Sequence, residues 1–227
     1  MSNTKRMFVG AGIIAWLGTV PLASAATYSD ATGENHDGTG QRDIISAEVT
    51  NDLTHLSITM NVQSSFASPN DWPKFMVALD TTIATGDGAS NPWGRAITLP
   101  GADFWIGSWV DGDGGAQLFQ TNGSGWDSLA APGFVIGGGS DSITWTVPLA
   151  TLGVSVGDTI TFDIYSTGDN SGNGANDALS LATQASSGWD APYDSGANVS
   201  VYTVVPEPAG LALLGLGALV GMRRRRS

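Results

Sequence analysis

The sequence predicts an all-β protein, an antiparallel β-sandwich of jelly-roll type, between an N-terminal signal peptide and a short C-terminal transmembrane helix. Apolar residues recur at every second position, as in Leu56-Ser-Ile-Thr-Met-Asn-Val62 and Ile143-Thr-Trp-Thr-Val147. This period is typical of strands with one buried face. Clusters of Gly, Asp, Asn and Ser separate the alternating segments and indicate turns. Many short strands joined by such turns favour a sandwich or jelly roll.

The same criteria predict nine strands and one helical turn in the middle of the chain. The helical turn is Pro148 to Gly153, with the sequence PLATLG. The predicted strands lie near residues 44–50, 53–63, 74–82, 103–110, 115–121, 134–137, 142–147, 159–166 and 198–204.

The N-terminus has the three parts of a secretory signal peptide. Lys5 and Arg6 are positively charged, residues 7–22 are apolar, and Ala23-Ser24-Ala25 forms an A-x-A cleavage site. This order predicts removal of residues 1–25 by signal peptidase and export of the remainder.

The C-terminus also has three parts in a fixed order. Pro206-Glu207-Pro208 is followed by the apolar segment 209–222, and the chain then carries Arg223, Arg224, Arg225 and Arg226. Fourteen helical residues span about 21 Å, less than the roughly 30 Å hydrocarbon core of a bilayer. Arginines that snorkel could extend the span, and the positive block should stay cytoplasmic. An ordinary anchor or a buried hairpin is the alternative, but four terminal arginines fit a core poorly.

The segment 205–227 resembles the PEP-CTERM sorting signal, which combines these three parts. The resemblance implies export in a Gram-negative bacterium and transient anchoring in the inner membrane. An exosortase, a membrane-embedded cysteine protease, would then cleave near Pro206-Glu207-Pro208. Proteins of this kind act at the cell surface or in the exopolysaccharide matrix, so the resemblance predicts that destination.

The exported domain, residues 26–204, is strongly acidic. It retains only three basic residues, Arg42, Lys74 and Arg95, against twenty acidic ones, a net charge of −17. This charge argues against nucleic acid or anionic lipid as a partner. The chain has no cysteine, so it can form neither a disulfide nor a lipoprotein anchor, and packing or metal must stabilise it.

A second resemblance covers the exported domain. The opening from Asp30 to Gly40 and the segment Asp43 to Asp52, together with Ala78-Leu-Asp80-Thr and the Pro148–Gly153 turn, are similar to DOMON-like sandwiches related to family-nine carbohydrate-binding modules. The resemblance implies a sandwich and a sugar-binding role.

The sequence offers little for catalysis. There is no thiol nucleophile, and the two histidines, His36 and His55, have no partners that would make a catalytic group. No GxSxG, HExxH or phosphate-binding loop is present. We therefore predict a protein that is not an enzyme. A pair of carboxylates of the glycosidase type stays open as an alternative, because the chain is rich in Asp.

Two acidic segments are candidates for calcium. Oxygen ligands suit Ca²⁺, whereas Zn²⁺ prefers Cys or clustered His. The first candidate is the segment with Asp30, Glu34 and Asp37. The second is the loop whose ligands would be Asp169, Ser171, Asn173 and Asp177. It has the ligand order of an EF-hand loop, but Ser180 stands where a bidentate Glu is expected. Solvated turns are the alternative for both segments, and Asp111-Gly-Asp113 predicts a hairpin turn.

Tryptophans in polar loops are candidates for sugar binding. Trp72, Trp93 and Trp189 have polar neighbours in the sequence, and an exposed indole can stack on the apolar face of a sugar ring. Anchors packed onto the sandwich are the alternative for each. Trp105, Trp109 and Trp145 are predicted to pack in the core or on a sheet face.

Three functions follow in order of preference. The first is a non-catalytic glycan-binding or matrix-associated module. The second is a structural surface protein with no specific ligand, and the third is a glycoside hydrolase. Exposed, coplanar tryptophans favour the first function, and packed tryptophans favour the second.

Overall fold

The computed structural model describes residues 25–66, 73–81 and 91–206. Almost all the regular structure in this part of the chain is β-strand, so the predicted all-β class is confirmed. One antiparallel sheet has five strands, ordered β1-β2-β3-β10-β9. They are β1 (Ala26–Ser29), β2 (Ile44–Asn51), β3 (His55–Val62), β10 (Ser142–Pro148) and β9 (Gly133–Ile136).

The second sheet has seven strands. Its main path is β12-β11-β4-β6-β7-β8, and β14 also pairs with β11. These strands are β4 (Lys74–Asp80), β6 (Phe104–Trp109), β7 (Gly115–Thr121), β8 (Trp126–Ser128), β11 (Thr159–Thr167), β12 (Ala175–Ala178) and β14 (Ser200–Thr203). A small parallel pair, β5 (Ile97–Thr98) with β13 (Tyr193–Asp194), lies outside both sheets.

The main core lies between the two large sheets, where every second side chain of a strand points inward. In β3 the buried residues alternate with partly exposed ones over the whole strand. Trp145 is fully buried in phase with Ile143 and Val147, as the sequence predicts. Burial of these side chains supplies the main driving force for folding.

The outer face of the seven-stranded sheet has a second core. Trp105 stacks on Tyr165 with ring centroids 5.8 Å apart, and Ile97 and Tyr193 of the small parallel pair cover them. Both faces of β4 and β6 are therefore buried, and five consecutive residues in each strand are inaccessible to solvent. The residues that cover this face come from 91–102 and 181–199. They bring together parts of the chain that are distant in sequence.

The structure contains each predicted strand and the predicted turns. Pro148–Gly153 includes the helix α1 (Leu149–Leu152), which ends at Gly153 with a φ of 65°. Asp111-Gly-Asp113 forms the hairpin turn between β6 and β7. Five short strands of two to four residues are missing from the sequence prediction, namely β1, β5, β8, β12 and β13. A strand of this length contains few repeats of the two-residue period, so the pattern does not reliably reveal it.

Several predictions fall on residues outside the described part of the chain. These are most of the signal peptide, the helix 209–222, Trp72, Ala23, Glu207, Pro208 and the four terminal arginines. Among the described residues, no helix has the length and apolar character needed to cross a membrane.

Candidate functional site

The candidate site is built on the loop of residues 30–43, which we call the acidic loop. It connects β1 to β2 in the first sheet and packs against β12 of the second sheet. The peptide N–H of Ile44, at the end of the loop, donates to Asp177 Oδ2 at 2.6 Å. Asn176 donates to Asp37 Oδ1 at 3.2 Å, and Ser166 Oγ donates to the carbonyl of Arg42 at 2.6 Å. The loop therefore joins the two sheets at one edge of the sandwich.

Three acidic side chains converge where the loop meets β12. Asp30, Glu34 and Asp177 each place a carboxylate oxygen within 4.8 Å of the others. We call Asp30, Glu34 and Asp177 the carboxylate cluster. Asp177 is fully buried, and the other two are half-buried. Asp30 follows β1 directly, whereas Asp177 lies within β12, so the fold brings together ligands from both predicted calcium segments.

The cluster has free acceptor capacity. Both oxygens of Asp177 accept peptide N–H bonds, from Ile44 and Ala178, and Asp30 Oδ1 accepts that of Ala31. Asp30 Oδ2 and both oxygens of Glu34 are buried and have no hydrogen-bond partner among the described residues. Burial of a carboxylate oxygen without a hydrogen-bond donor costs free energy. A bound proton or cation lowers this cost.

The pKa values of the three carboxyl groups reflect the cost of burying them. Burial raises the pKa of Asp177 to about 8 and that of Asp30 to about 7. These pKa values include a smaller upward contribution from the neighbouring carboxylates and an opposing contribution from peptide N–H bonds. Burial also raises the pKa of Glu34, to which the charge of Asp43 adds. Without a counter-ion, the cluster holds protons at a pH where ordinary carboxyls are ionised.

Asp43 lies behind the cluster and is absent from the sequence prediction. Its side chain is fully buried. Its Oδ2 accepts the N–H of Gly33 at 2.7 Å, and Oδ1 has no partner within the described structure. Its charge acts on Glu34 and on Asp30. The only sequence signal was its position directly before β2, which does not distinguish it from a solvated turn residue.

Asp37, predicted as a ligand together with Asp30 and Glu34, is not in the carboxylate cluster. Its Oδ2 accepts Arg42 Nη1 at 2.6 Å, and its Oδ1 accepts the N–H and hydroxyl of Thr39, both at 3.0 Å. Burial tends to raise the pKa of Asp37, but these bonds and the Arg42 charge outweigh it, and the pKa is lowered. Asp177 takes the place that the sequence prediction gave to Asp37.

A pocket of about 380 Å³ lies beside the acidic loop. We call it the tryptophan pocket, and its lining consists of Arg42, Gly168, Asp169, Asn170, Asn173, Trp189 and Asp190. Asp169, Asn170 and Asp190 are exposed, whereas Asn173 and Arg42 are buried at its base. Asn173 Nδ2 donates to Asp190 Oδ1 at 3.2 Å. The pocket therefore combines one indole with several hydrogen-bonding groups.

The second predicted calcium loop is thus divided between two places. Asp169 and Asn173 line the tryptophan pocket, and Asp177 belongs to the carboxylate cluster. Ser171 Oγ donates to the carbonyl of Gly94 at 3.3 Å, and Asp169 pairs with Lys74 at 3.1 Å. The structure does not bring the four predicted ligands of this loop to one point.

Trp189 is held by the acidic loop. The Arg42 guanidinium lies 5.1 Å from the centre of the indole ring, within the range of a cation–π contact. The ring of His36 meets the indole edge-on, with centroids 4.6 Å apart. Trp189 is partly exposed and lines the pocket, so it is both an anchor and a lining residue.

Trp93 packs differently. Its indole lies against the backbone of Gly107 in β6, where an added Cβ would come within 2.3 Å of the ring. Its Nε1 donates to Gln117 Oε1 at 3.0 Å, and Trp109 lies 6.4 Å away at a tilt of 40°. Trp93 and Trp189 therefore do not lie in one shared pocket among the described residues.

The comparisons with known proteins concern the end of the chain. Residues 204–226 match the family model of the PEP-CTERM protein-sorting motif, so the predicted motif is confirmed. The class that fold and motif define is an exported β-sandwich that is anchored in a membrane before processing by an exosortase. No curated protein sequence matches the chain, and the resemblance to DOMON-like modules stays a prediction.

Proposed function

We propose that the sandwich is a non-catalytic glycan-binding module of the cell surface or the exopolysaccharide matrix of a Gram-negative bacterium. The observation that carries this proposal is the tryptophan pocket, in which Trp189 lies among exposed carboxylate and amide side chains. Sugars present apolar C–H faces and dense hydroxyls, so an indole beside hydrogen-bonding groups is a suitable binding surface.

The net charge of the domain narrows the range of glycans that it can bind. With a net charge of −17 between residues 26 and 204, the domain repels polyanions over a distance set by the ionic strength. Asp169 and Asp190 add negative charge at the rim of the pocket itself. A neutral polysaccharide fits this surface better than an acidic one.

We rank glycan binding above glycoside hydrolysis because of the positions of the acidic side chains. The side chains of Asp177, Asp43 and Asp163 are fully buried, and a buried carboxylate cannot reach a polysaccharide chain. Glycosidases need two carboxyl groups that flank the scissile bond. The buried carboxylates do not offer such a pair to a bound sugar. Asp169 and Asp190 do line the pocket, but Asp169 pairs with Lys74 and Asp190 accepts a hydrogen bond from Asn173, which favours a binding role for both.

A structural role without a ligand is the second candidate. The packing of Trp93 on Gly107 and the contacts of Trp189 with His36 and Arg42 favour it. Under this alternative both tryptophans fix loops to the sandwich, and the domain contributes bulk and charge to the surface layer.

Affinity electrophoresis separates the two functions. The full-length chain in non-ionic detergent is run through gels that contain neutral or acidic polysaccharides, beside the variants Asp190→Asn and Asp127→Asn. Asp190 lines the pocket, and Asp127 is an exposed residue of β8 outside it, so Asp127→Asn is the matched control. Glycan binding requires retardation that Asp190→Asn weakens and Asp127→Asn does not. The absence of retardation by every polysaccharide would favour the structural role.

Processing is tested in the producing cell. Replacement of Pro206, Glu207 and Pro208 by alanine should leave the protein uncleaved and in the membrane fraction, because the motif acts as one signal. Pro192→Ala, at an exposed position in the sandwich, is the control for loss of a proline. Fractionation and intact mass measure the result, and unchanged release of a shortened chain would contradict exosortase processing.

A further inference from the structure

We propose that Asp30, Glu34 and Asp177, with Asp43 behind them, form one Ca²⁺ site that fastens the acidic loop to β12. The site would join the two sheets of the sandwich at an edge where no backbone ladder connects them. It is independent of glycan binding, because the ligands lie outside the tryptophan pocket.

The distances suit calcium. Ca²⁺ binds oxygen at about 2.3–2.6 Å, so two ligand oxygens of one ion are at most about 5 Å apart. The three ligand atoms of the cluster lie within 4.8 Å of one another. An ion between them therefore needs no rearrangement of the backbone.

Buried oxygens without a hydrogen-bond donor favour a cation-binding site over a solvated acidic patch. Both oxygens of Glu34 are buried without a donor among the described residues, although the side chain could turn to solvent from a surface loop. Asp43 is fully buried with one unpartnered oxygen beside the same group. Three carboxylates thus converge on one point, and the charge of Asp43 acts on two of them, Asp30 and Glu34.

The chemistry of the ligands selects among metals. The cluster offers carboxylate oxygens and contains neither His nor Cys, which disfavours Zn²⁺. Mg²⁺ loses its water reluctantly and demands octahedral geometry at about 2.1 Å, whereas Ca²⁺ accepts irregular sets of carboxylates and water. Calcium is also the hard cation that extracellular modules commonly bind.

A cavity borders Asp30 on the side of β1. The cavity has a volume of about 250 Å³ and is lined by Tyr28, Asp30 and Ser180 among others. Asp30 therefore borders both this cavity and the cluster, whereas Glu34 and Asp177 do not line the cavity.

Isothermal titration of metal-stripped, full-length protein in detergent with CaCl₂ tests the site. The variants are Glu34→Gln, which removes a charge but no described hydrogen bond, and Asp190→Asn as a charge-matched control in the tryptophan pocket. We expect one Ca²⁺ per chain, bound at least about tenfold more weakly by Glu34→Gln and equally by Asp190→Asn. Mg²⁺ should bind more weakly than Ca²⁺.

A second measurement protects this test against a folding defect. In EDTA, Glu34→Gln should melt at the same temperature as the wild type or higher, because it relieves repulsion within the cluster. A variant that binds Ca²⁺ like the wild type would overturn the proposal, as would wild-type protein that binds none at about 10 mM. Loss of binding in Asp169→Ala alone would place the ion in the 169–177 loop and would overturn it too.

Discussion

The carboxylate cluster and the tryptophan pocket share one loop, but their environments are opposite. The cluster is enclosed, and Asp30 Oδ2 and both oxygens of Glu34 lack a hydrogen-bond donor among the described residues. The pocket is open, and its polar groups are already bonded to one another or exposed to water. An enclosed set of anions suits a small cation that replaces water by fixed oxygens, whereas an open pocket with an indole suits a polymer.

The link between the two regions is the pair Asp37–Arg42. Asp30 and Glu34 of the acidic loop belong to the cluster, whereas His36 and Arg42 of the same loop contact Trp189. Asp37 holds Arg42 in place and also bonds to Asn176 next to the cluster residue Asp177. The loop is therefore a common support, and the two regions can be altered separately.

Removal of the Asp37–Arg42 ion pair should have the largest effect on the stability of the protein. Asp37→Ala leaves Arg42 buried without its carboxylate and removes the acceptor for Thr39 and Asn176. We expect a loss of about 3–5 kcal/mol in the free energy of unfolding, as for other broken buried ion pairs. Chemical denaturation measures it. The calcium-induced rise in melting temperature should persist in this variant, and its disappearance would mean that Asp37 is itself a ligand.

Calcium should stabilise the protein by a similar but smaller amount. An ion that binds only the folded state adds about 2.7 kcal/mol at a hundred times its dissociation constant. For a domain of this size this corresponds to a rise in melting temperature of about 5–10 °C in calcium relative to EDTA.

Calorimetry of wild type, Asp30→Asn and Asp190→Asn measures this rise. Asp30→Asn keeps the acceptor for the Ala31 N–H but should lose most of the shift, whereas Asp190→Asn should keep it. Equal melting curves of wild type in calcium and EDTA would mean that the cluster is satisfied by protons.

The tryptophan pocket should respond to a different set of changes. Trp189→Ala should weaken retention on a bound polysaccharide by about 1–3 kcal/mol, taking stacking losses on nucleic-acid bases as an analogy. Trp93→Ala should weaken it less, because Trp93 packs on Gly107 away from the pocket. Affinity electrophoresis gives both values, and a greater loss for Trp93→Ala would move the binding surface to the β6–β7 face.

The smallest expected effect, when it is taken per unit of pH, is the titration of Asp163. Burial raises the pKa of Asp163 to about 7, against the opposing bonds from Ser195 and Ser180, whereas an unfolded aspartate titrates near pH ~4. The folded state therefore holds the proton more tightly, so this stabilisation is present below pH ~4 and is lost as the pH rises to about 7. The slope is on the order of 1 kcal/mol per pH unit.

Asp163→Asn should flatten this dependence in EDTA, because the amide oxygen can still accept the N–H groups of Ile164 and Ser180. Denaturation midpoints between pH 4 and 8 measure it. An unchanged slope in the variant would assign the pH dependence to other groups.

The sequence predicted every strand of six or more residues, both those buried on one face, such as β3 and β10, and those buried on both, β4 and β6. In β3 and β10, alternation follows from one face against the core and one against solvent, and a local pattern records it. β12, with the sequence ANDA, has no apolar alternation, because its Asn and Asp bond to the acidic loop. Such a strand is formed by its neighbours in space, and a local pattern cannot reveal it.

The sequence predicted the individual residues of the candidate site but not which of them lie together. The sequence identified Asp30, Glu34 and Asp177 as candidate metal ligands but assigned them to two separate segments. Their convergence depends on β12 lying beside the acidic loop, more than 130 residues away along the chain. Asp37 was assigned to the metal because spacing cannot show that Arg42 would occupy it.

Hydrogen–deuterium exchange of the acidic loop tests most directly that a cation holds it. Full-length protein in detergent is compared in calcium and in EDTA, and peptides that cover residues 30–44 are followed by mass spectrometry. The N–H groups of Gly33 and Ile44, which donate to Asp43 and Asp177, should exchange at least about tenfold more slowly in calcium. The β6–β7 hairpin, residues 104–121, should exchange equally in both, and Glu34→Gln should lose the protection. Equal exchange of the acidic loop in calcium and EDTA would contradict the account.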